Sequence, residues 1–161
     1  HTRRRINQVV NVNMNKKIGS NILSVRRLCE DKEEKKGSQI VNTNPTQDIY
    51  LYEGLPMIAR ITHNDLIVNN ERFIIKKINE DIVVLVSERP DEEGNKTINE
   101  IEIEIKDLQK YLLCAYCVTT HKSQGITIDG ALTIHDWELM DKKLRYTAIT
   151  RAKKLSNIYM I

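Results

Sequence analysis

The apolar period of this chain changes twice along its length, and those changes limit what it can fold into. From Leu55 the period is two. Met57, Ala59 and Ile61 alternate with mixed neighbours, residues 73–78 and 82–86 follow as apolar runs, and Ile101, Ile103 and Ile105 alternate with Glu102 and Glu104. A period of two turns one face of a strand to a core and the other to water. Asn69-Asn70 supplies a turn, because Asn tolerates the left-handed region. Residues 90–95, with Gly94, read as a loop. Four short strands at this spacing predict a small antiparallel barrel.

The flanks read differently. Residues 2–15 predict a basic helix with Ile6, Val9, Val10 and Asn13 on one face. Residues 31–37 form a mixed charge run that reads as a solvated turn or helix end. Pro45 and its Asn and Thr neighbours read as loop. After Lys110 come a short apolar strand at 115–119, a turn at 122–125, a strand at 131–134, a helix at 140–151 and a closing strand within 155–161. Strand, loop, strand, helix, strand is the layout of a parallel α/β sheet. The organisation expected is therefore α/β, with residues 54–105 inserted as a small β-barrel into a domain made of 1–53 and 106–161.

Composition narrows the function classes. The chain has 161 residues, a formal charge of +3 and 29% charged residues. That balance admits a nucleic-acid partner without demanding one. No apolar run approaches the roughly 20 residues of a membrane span, so no membrane partner is expected. Three cysteines, an odd number, argue against a disulfide framework. They predict an intracellular reducing compartment, whether nucleus, cytoplasm or a viral replication site. The start, His1-Thr2-Arg3-Arg4-Arg5, lacks Met and an apolar signal core, and reads as the start of a piece of a longer protein.

Two short motifs carry the chemistry. The first is Thr120-His121-Lys122-Ser123-Gln124-Gly125, preceded by Thr119. In a parallel α/β domain functional loops leave the carboxyl ends of strands. Hydroxyls, a ring nitrogen, an ammonium, an amide and a glycine that admits close approach all suit phosphate oxygens. The bland alternative is a polar turn ending in glycine. The second motif is Tyr146-Thr147-Ala148-Ile149-Thr150-Arg151-Ala152. Around it, Lys142, Lys143, Arg145, Arg151, Lys153 and Lys154 stand against Asp141, a net of +5 over residues 141–154. This is either an exposed basic helix or an arginine presented to a nucleotide held by another domain. An arginine so placed stabilises the charge of phosphoryl transfer by about 10³–10⁵ in rate.

In this order the two motifs resemble motifs V and VI of superfamily 1 helicases. The wording is most similar to the RecD/Dda-like branch, whose members mostly move 5′ to 3′. The resemblance is strong over roughly the last 45 residues. Residues 4–11 weakly resemble the helix after motif IV, and residues 16–53 align with nothing. The resemblance implies a second RecA-like motor domain carrying an SH3-like barrel. It implies Arg151 as the arginine finger. Gln124, Gly125 and Tyr146 join Arg151 at the nucleotide cleft, and Thr120, His121, Lys122 and Ser123 face single-stranded DNA or RNA. The chain has Thr127 where the UvrD branch has Glu, and His1 near where that branch has Arg.

No Gly-x-x-x-x-Gly-Lys-Ser/Thr loop is present. The implied ATP and Mg²⁺ would therefore be bound mainly by an N-terminal RecA-like domain of the same protein, and this piece alone would be inactive. DNA replication, DNA repair and recombination all use motors of the kind the resemblance implies, and the sequence does not choose among them. Two alternatives stand beside it: a nucleic-acid-binding module without catalysis, and a superfamily 1 RNA helicase. Cys114-x-x-Cys117 fits a structural zinc site poorly, and core thiols explain it better; no metal ligand is assigned. Trp137 reads as a packing residue, and Tyr50 and Tyr52 as loop anchors or base-stacking groups.

Overall fold

A computed structural model describes residues 2–18, 23–25, 49–90 and 93–161. The expected charge run at 31–37 and the loop at Pro45 lie outside them. In chain order the elements are α1 (Thr2–Ile18), β1 (Leu23–Val25), β2 (Ile49–Leu51), β3 (Pro56–Ala59), β4 (Arg72–Ile78), β5 (Ile82–Pro90), β6 (Lys96–Glu104), α2 (Ile105–Tyr111), β7 (Leu112–Cys114), β8 (Leu132–Ile134), α3 (Lys142–Ile149) and β9 (Ile158–Met160). Short 3-10 turns sit at His121–Ser123, Trp137–Leu139 and Leu155–Asn157. The architecture is mixed α/β. The largest sheet is antiparallel, and a small parallel pair accompanies it.

The chain divides into two compact units. One is Asn7–Tyr116; the other joins His1–Ile6 to Cys117–Ile161. The first holds the five-stranded sheet, in the order β6-β5-β4-β3-β7, with every neighbouring pair antiparallel. The alternation read from sequence sets its faces. Phe73 and Ile75 of β4, Val83 and Leu85 of β5, and Ile101 and Ile103 of β6 share one core with Leu55, Met57, Leu108 and Leu112. Glu100, Glu102 and Glu104 stay wet.

Four expectations are corrected here. The antiparallel strands make an open sheet, with β6 and β7 at its edges, and no ladder closes it into a barrel among the described residues. Ile105 does not extend the last alternating strand; it opens α2. The strand expected at 115–119 lies earlier, at Leu112–Cys114, because those residues find a ladder partner in β3, with Cys114 opposite Met57. Finally, α1 does not bury the face of Ile6, Val9, Val10 and Asn13: Val9 is 52% exposed, and the helix buries Asn7 and Asn11 instead. The amide of Asn7 donates to the carbonyl of Cys114 at 3.0 Å. Asn11 both donates to the Tyr50 carbonyl (3.0 Å) and accepts from the Tyr50 N–H (2.8 Å). Strand backbone meets this side of the helix at Asn7 and Asn11, and Met14, further along, packs against the hydrophobic core.

The second unit is built around the parallel pair β8 and β9, with Leu132 opposite Ile158 and Ile134 opposite Met160. The sequence reading anticipated both strands and the intervening helix. That helix starts at Lys142 because Asp141 caps it, its carboxylate accepting from the Leu144 N–H at 2.8 Å.

Candidate functional site

Both motifs lie in the second unit. The first begins as a tight turn. The Ser123 N–H donates to the carbonyls of Thr119 and Thr120, both at 3.1 Å, and the Gln124 N–H to that of His121 at 3.3 Å. The Ser123 hydroxyl donates back to the Thr120 carbonyl at 2.7 Å, and the residue is buried. Ser123 therefore holds the turn together from inside. The Lys122 N–H reaches the Thr119 hydroxyl at 3.4 Å. His121, Gln124 and Gly125 are exposed, while Thr120 and Lys122 are half-buried. Gly125 has φ +79°, and a Cβ there would meet nothing within 4 Å. Glycine is required by the backbone conformation and not by crowding.

The second motif follows the α3 helix to its end. Thr147 and Thr150 return their hydroxyls to the carbonyls of Lys143 (2.9 Å) and Thr147 (3.0 Å). Arg151 is the first residue past Thr150, and its guanidinium is fixed on three sides. Nε donates to the Thr147 carbonyl (3.1 Å), Nη1 to the Ile126 carbonyl (3.3 Å) and Nη2 to the Thr150 hydroxyl (3.1 Å). The main chain repeats the junction. Ile128 N–H donates to the Arg151 carbonyl at 2.7 Å, and Lys153 N–H to the Ile128 carbonyl at 2.9 Å, a parallel bridge between Ile128 and Ala152.

The structure thus brings the two motifs together at Ile126 and Arg151, one residue beyond Gly125. A guanidinium has five N–H donors. The two left over by Arg151 make no hydrogen bond among the described residues. They suit a phosphate oxygen, which Arg recognises through its planar fork. Tyr146 does not join this junction through any hydrogen bond of its side chain among the described residues; it is 73% exposed. Lys153 is drawn to Asp129 at 2.8 Å, which leaves Lys142, Lys143 and Lys154 as exposed cations on and after the helix.

Sequence reasoning missed Ile126 and Thr147, which hold Arg151 through backbone carbonyls, and missed Asn7 and Asn11. The spacing of four between the two asparagines was the available signal, since it places both on one helix face. The other candidates resolve as packing. The guanidinium carbon of Arg145 lies 5.1 Å from the centre of the Trp137 ring, and Arg145 also donates to the Trp137 carbonyl at 3.2 Å. Tyr52 is buried and shares a 2.5 Å hydrogen bond with Tyr116. Burial, with that bond and the Tyr116 charge, pushes the Tyr52 hydroxyl far above its ordinary range. Cys114 is buried in β7, and burial raises the half-buried Cys117 thiol. No group of three or more metal-ligating side chains occurs among the described residues.

The fold resembles parts of solved Pif1 helicase chains. A Pif1 helicase from Candida albicans matches over 98% of this chain and 43% of its own, with TM-score 0.62 and 14% identity. Bacteroides Pif1 bound to ssDNA matches over 95% of this chain and 38% of its own, with TM-score 0.59 and 18% identity. In sequence, the RecBCD enzyme subunit RecD of Buchnera aphidicola subsp. Acyrthosiphon pisum (strain APS) is 32% identical over 111 residues, 67% of this chain and 17% of RecD. No protein-family profile matches. The chain is therefore similar to superfamily 1 helicases on the RecD- and Pif1-like branch. It spans about a sixth of that RecD and about two-fifths of the Pif1 chains.

Proposed function

We propose that this chain is the second motor domain of an ATP-dependent superfamily 1 DNA helicase, inactive without a partner RecA-like domain of the same protein. The observation that carries this reading is the junction of Arg151 with Ile126. A motif VI arginine is clamped one residue past the motif V glycine, with two donors left over for a ligand. Arg151 is the arginine finger. Gln124 and Gly125 line the same edge of the nucleotide site, and Tyr146 belongs to its outer wall. Thr120, His121 and Lys122 contact single-stranded DNA, with Ser123 holding their turn.

The domain division belongs to the same reading, with the antiparallel strands within 54–105 as an insertion in a RecA-like domain of 1–53 and 106–161. ATP supplies the chemical energy when bound, and Mg²⁺ neutralises its phosphates. Their ligands lie mainly on the partner domain, whereas Arg151 approaches the γ-phosphate from this side. A Bacteroides Pif1 of similar fold (TM-score 0.55, 14% identity) is described in complex with ADP-AlF3 and ssDNA, which supports a nucleotide and single-stranded DNA as ligands. Work in replication or repair, inside the cell, belongs to the proposal as well.

The test is ATP hydrolysis by the full-length protein, with oligothymidylate and with oligouridylate. Turnover stimulated by oligothymidylate is expected. Stimulation by oligouridylate alone transfers the reading to an RNA motor. Strand binding with no turnover reduces the protein to a nucleic-acid-binding module and overturns the proposal.

A further inference from the structure

We infer that Arg145 is a positioning residue: it pins the start of α3, the helix that presents Arg151, to the turn at Trp137–Leu139. The pin has three parts. Nε of Arg145 donates to the Trp137 carbonyl and Nη2 to the Glu138 carbonyl, both at 3.2 Å. The guanidinium carbon lies 5.1 Å from the centre of the Trp137 ring, within reach of a cation–π attraction. The turn is itself anchored. The Trp137 N–H donates to the Ile161 carbonyl at 3.4 Å, and the Ile161 N–H to the Ile134 carbonyl at 2.9 Å. Arg145 therefore ties the helix to the carboxyl ends of β8 and β9.

Arg151 ties the other end of the helix, through the Ile126 carbonyl. All these residues lie in the unit that holds Cys117–Ile161. α3 runs unbroken from Lys142 to Ile149, so the two arginines stand less than two turns apart on one stiff element. So short a helix has little stability of its own. Its placement comes from what holds its ends, and a shift at one end is carried to the other. The residue type supports the assignment. Lys142 and Lys143 on the same helix are exposed, whereas Arg145 is half-buried. A planar guanidinium serves two carbonyls and a ring face at once, which an ammonium does poorly.

The inference rests on the proposed finger role of Arg151. Steady-state ATP hydrolysis by the full-length protein, stimulated by oligothymidylate, tests it. The variants are Arg145→Ala and, in case that one does not fold, the milder Arg145→Lys, each alone and combined with Arg151→Ala. A misplacement of about 1 Å costs about 10²-fold in known cases. In Arg145→Ala kcat is expected to fall about tenfold or more, with KM for ATP within about twofold, because the finger acts in the transition state. Arg145→Lys, which keeps the charge and loses the fork, lowers kcat about threefold. In the Arg151→Ala background either change at 145 alters kcat by less than about twofold, since no finger is left to misplace. Equal losses in both backgrounds, or a wild-type kcat in Arg145→Ala, overturn the inference.

A wild-type protein that hydrolyses no ATP sinks the finger role, and hydrogen exchange on the 161-residue chain then decides the role of Arg145. The amides of Ile128, Thr150, Arg151 and Ala152 are bonded at the helix end and its junction. They exchange about tenfold faster in Arg145→Ala, while amides of β4 and β5 keep their protection. Unchanged exchange at those four amides, or a uniform rise across the chain, overturns the inference.

Discussion

Arg151 donates through Nη1 to the carbonyl of Ile126 at 3.3 Å, joining two motifs that lie 25 residues apart. That contact adds a tie across the two motifs to the bonds that hold Arg151 to Thr147 and Thr150 of its own segment. In the proposed finger role Arg151 would be in place before charge develops, so that no reorganisation is needed during the reaction. The clamp consists of Thr147, Thr150 and Ile126, and two of its three acceptors are backbone carbonyls.

Gly125→Ala should destabilise the chain by about 1 kcal/mol, because a residue with a Cβ resists the left-handed region. Open space around the site means no clash adds to that cost. Thermal unfolding of the purified chain measures it. A loss of several kcal/mol would show that the glycine faces crowding absent from this structure.

Lys122→Ala should weaken binding of oligothymidylate and make it less sensitive to salt. Removing one phosphate contact to a single strand reduces the steepness of log K against log salt by about 0.7. His121→Ala should weaken binding with a smaller change in slope. Titrations by fluorescence anisotropy between low and moderate salt separate the two. Equal slopes for Lys122→Ala and wild type would place Lys122 away from the strand.

The loop between β3 and β4 depends on one ion pair. Glu71 accepts from Arg89 Nε (2.6 Å) and Nη2 (2.7 Å), from the Ser87 hydroxyl (2.5 Å) and from the Val68 N–H (3.0 Å). Arg89 also donates to the carbonyls of Asp65 and Leu66. Burial opposes ionisation of Glu71, but the bonds from Arg89, Ser87 and Val68 outweigh it and hold its carboxyl below the usual range. A carboxylate with a depressed folded pKa contributes stability in full above its unfolded pKa. That contribution is lost as pH falls through the folded value. Wild-type stability should therefore decline from about pH 4 downward, and Glu71→Gln should remove that part of the decline. The same variant should cost about 2 kcal/mol at pH 7. Denaturant unfolding across pH measures both, and parallel pH profiles for the two proteins would exclude Glu71 as the source.

Asn11→Leu should cost about 2–4 kcal/mol, because the Tyr50 N–H and carbonyl both lose their partner. Denaturant unfolding of the chain measures it. A cost under 1 kcal/mol would mean that β2 finds other partners.

The strands were legible because a period of two is a direct consequence of one dry face. Phe73, Ile75, Ile101 and Ile103 all point where that rule sends them. Whether the sheet closes was not legible, because closure depends on which edges meet, and alternation along β6 says nothing of what lies beside β7. The face of α1 was misread for a related reason. Counting apolar residues favoured Ile6, Val9 and Val10, while the packed side carries Asn7 and Asn11 on the peptide groups of Cys114 and Tyr50, and Met14 against the core. The motifs were legible through their side chains. Their junction was not, because the carbonyls of Ile126 and Thr147 are common to any residue at those positions.

The central claim meets its most direct test in the full-length protein carrying Arg151→Ala. Oligothymidylate-stimulated ATP hydrolysis should fall by about 10³ or more, while the affinity for oligothymidylate stays within about twofold, a difference of under 0.5 kcal/mol. ATP turnover at the wild-type rate in that variant would contradict the account.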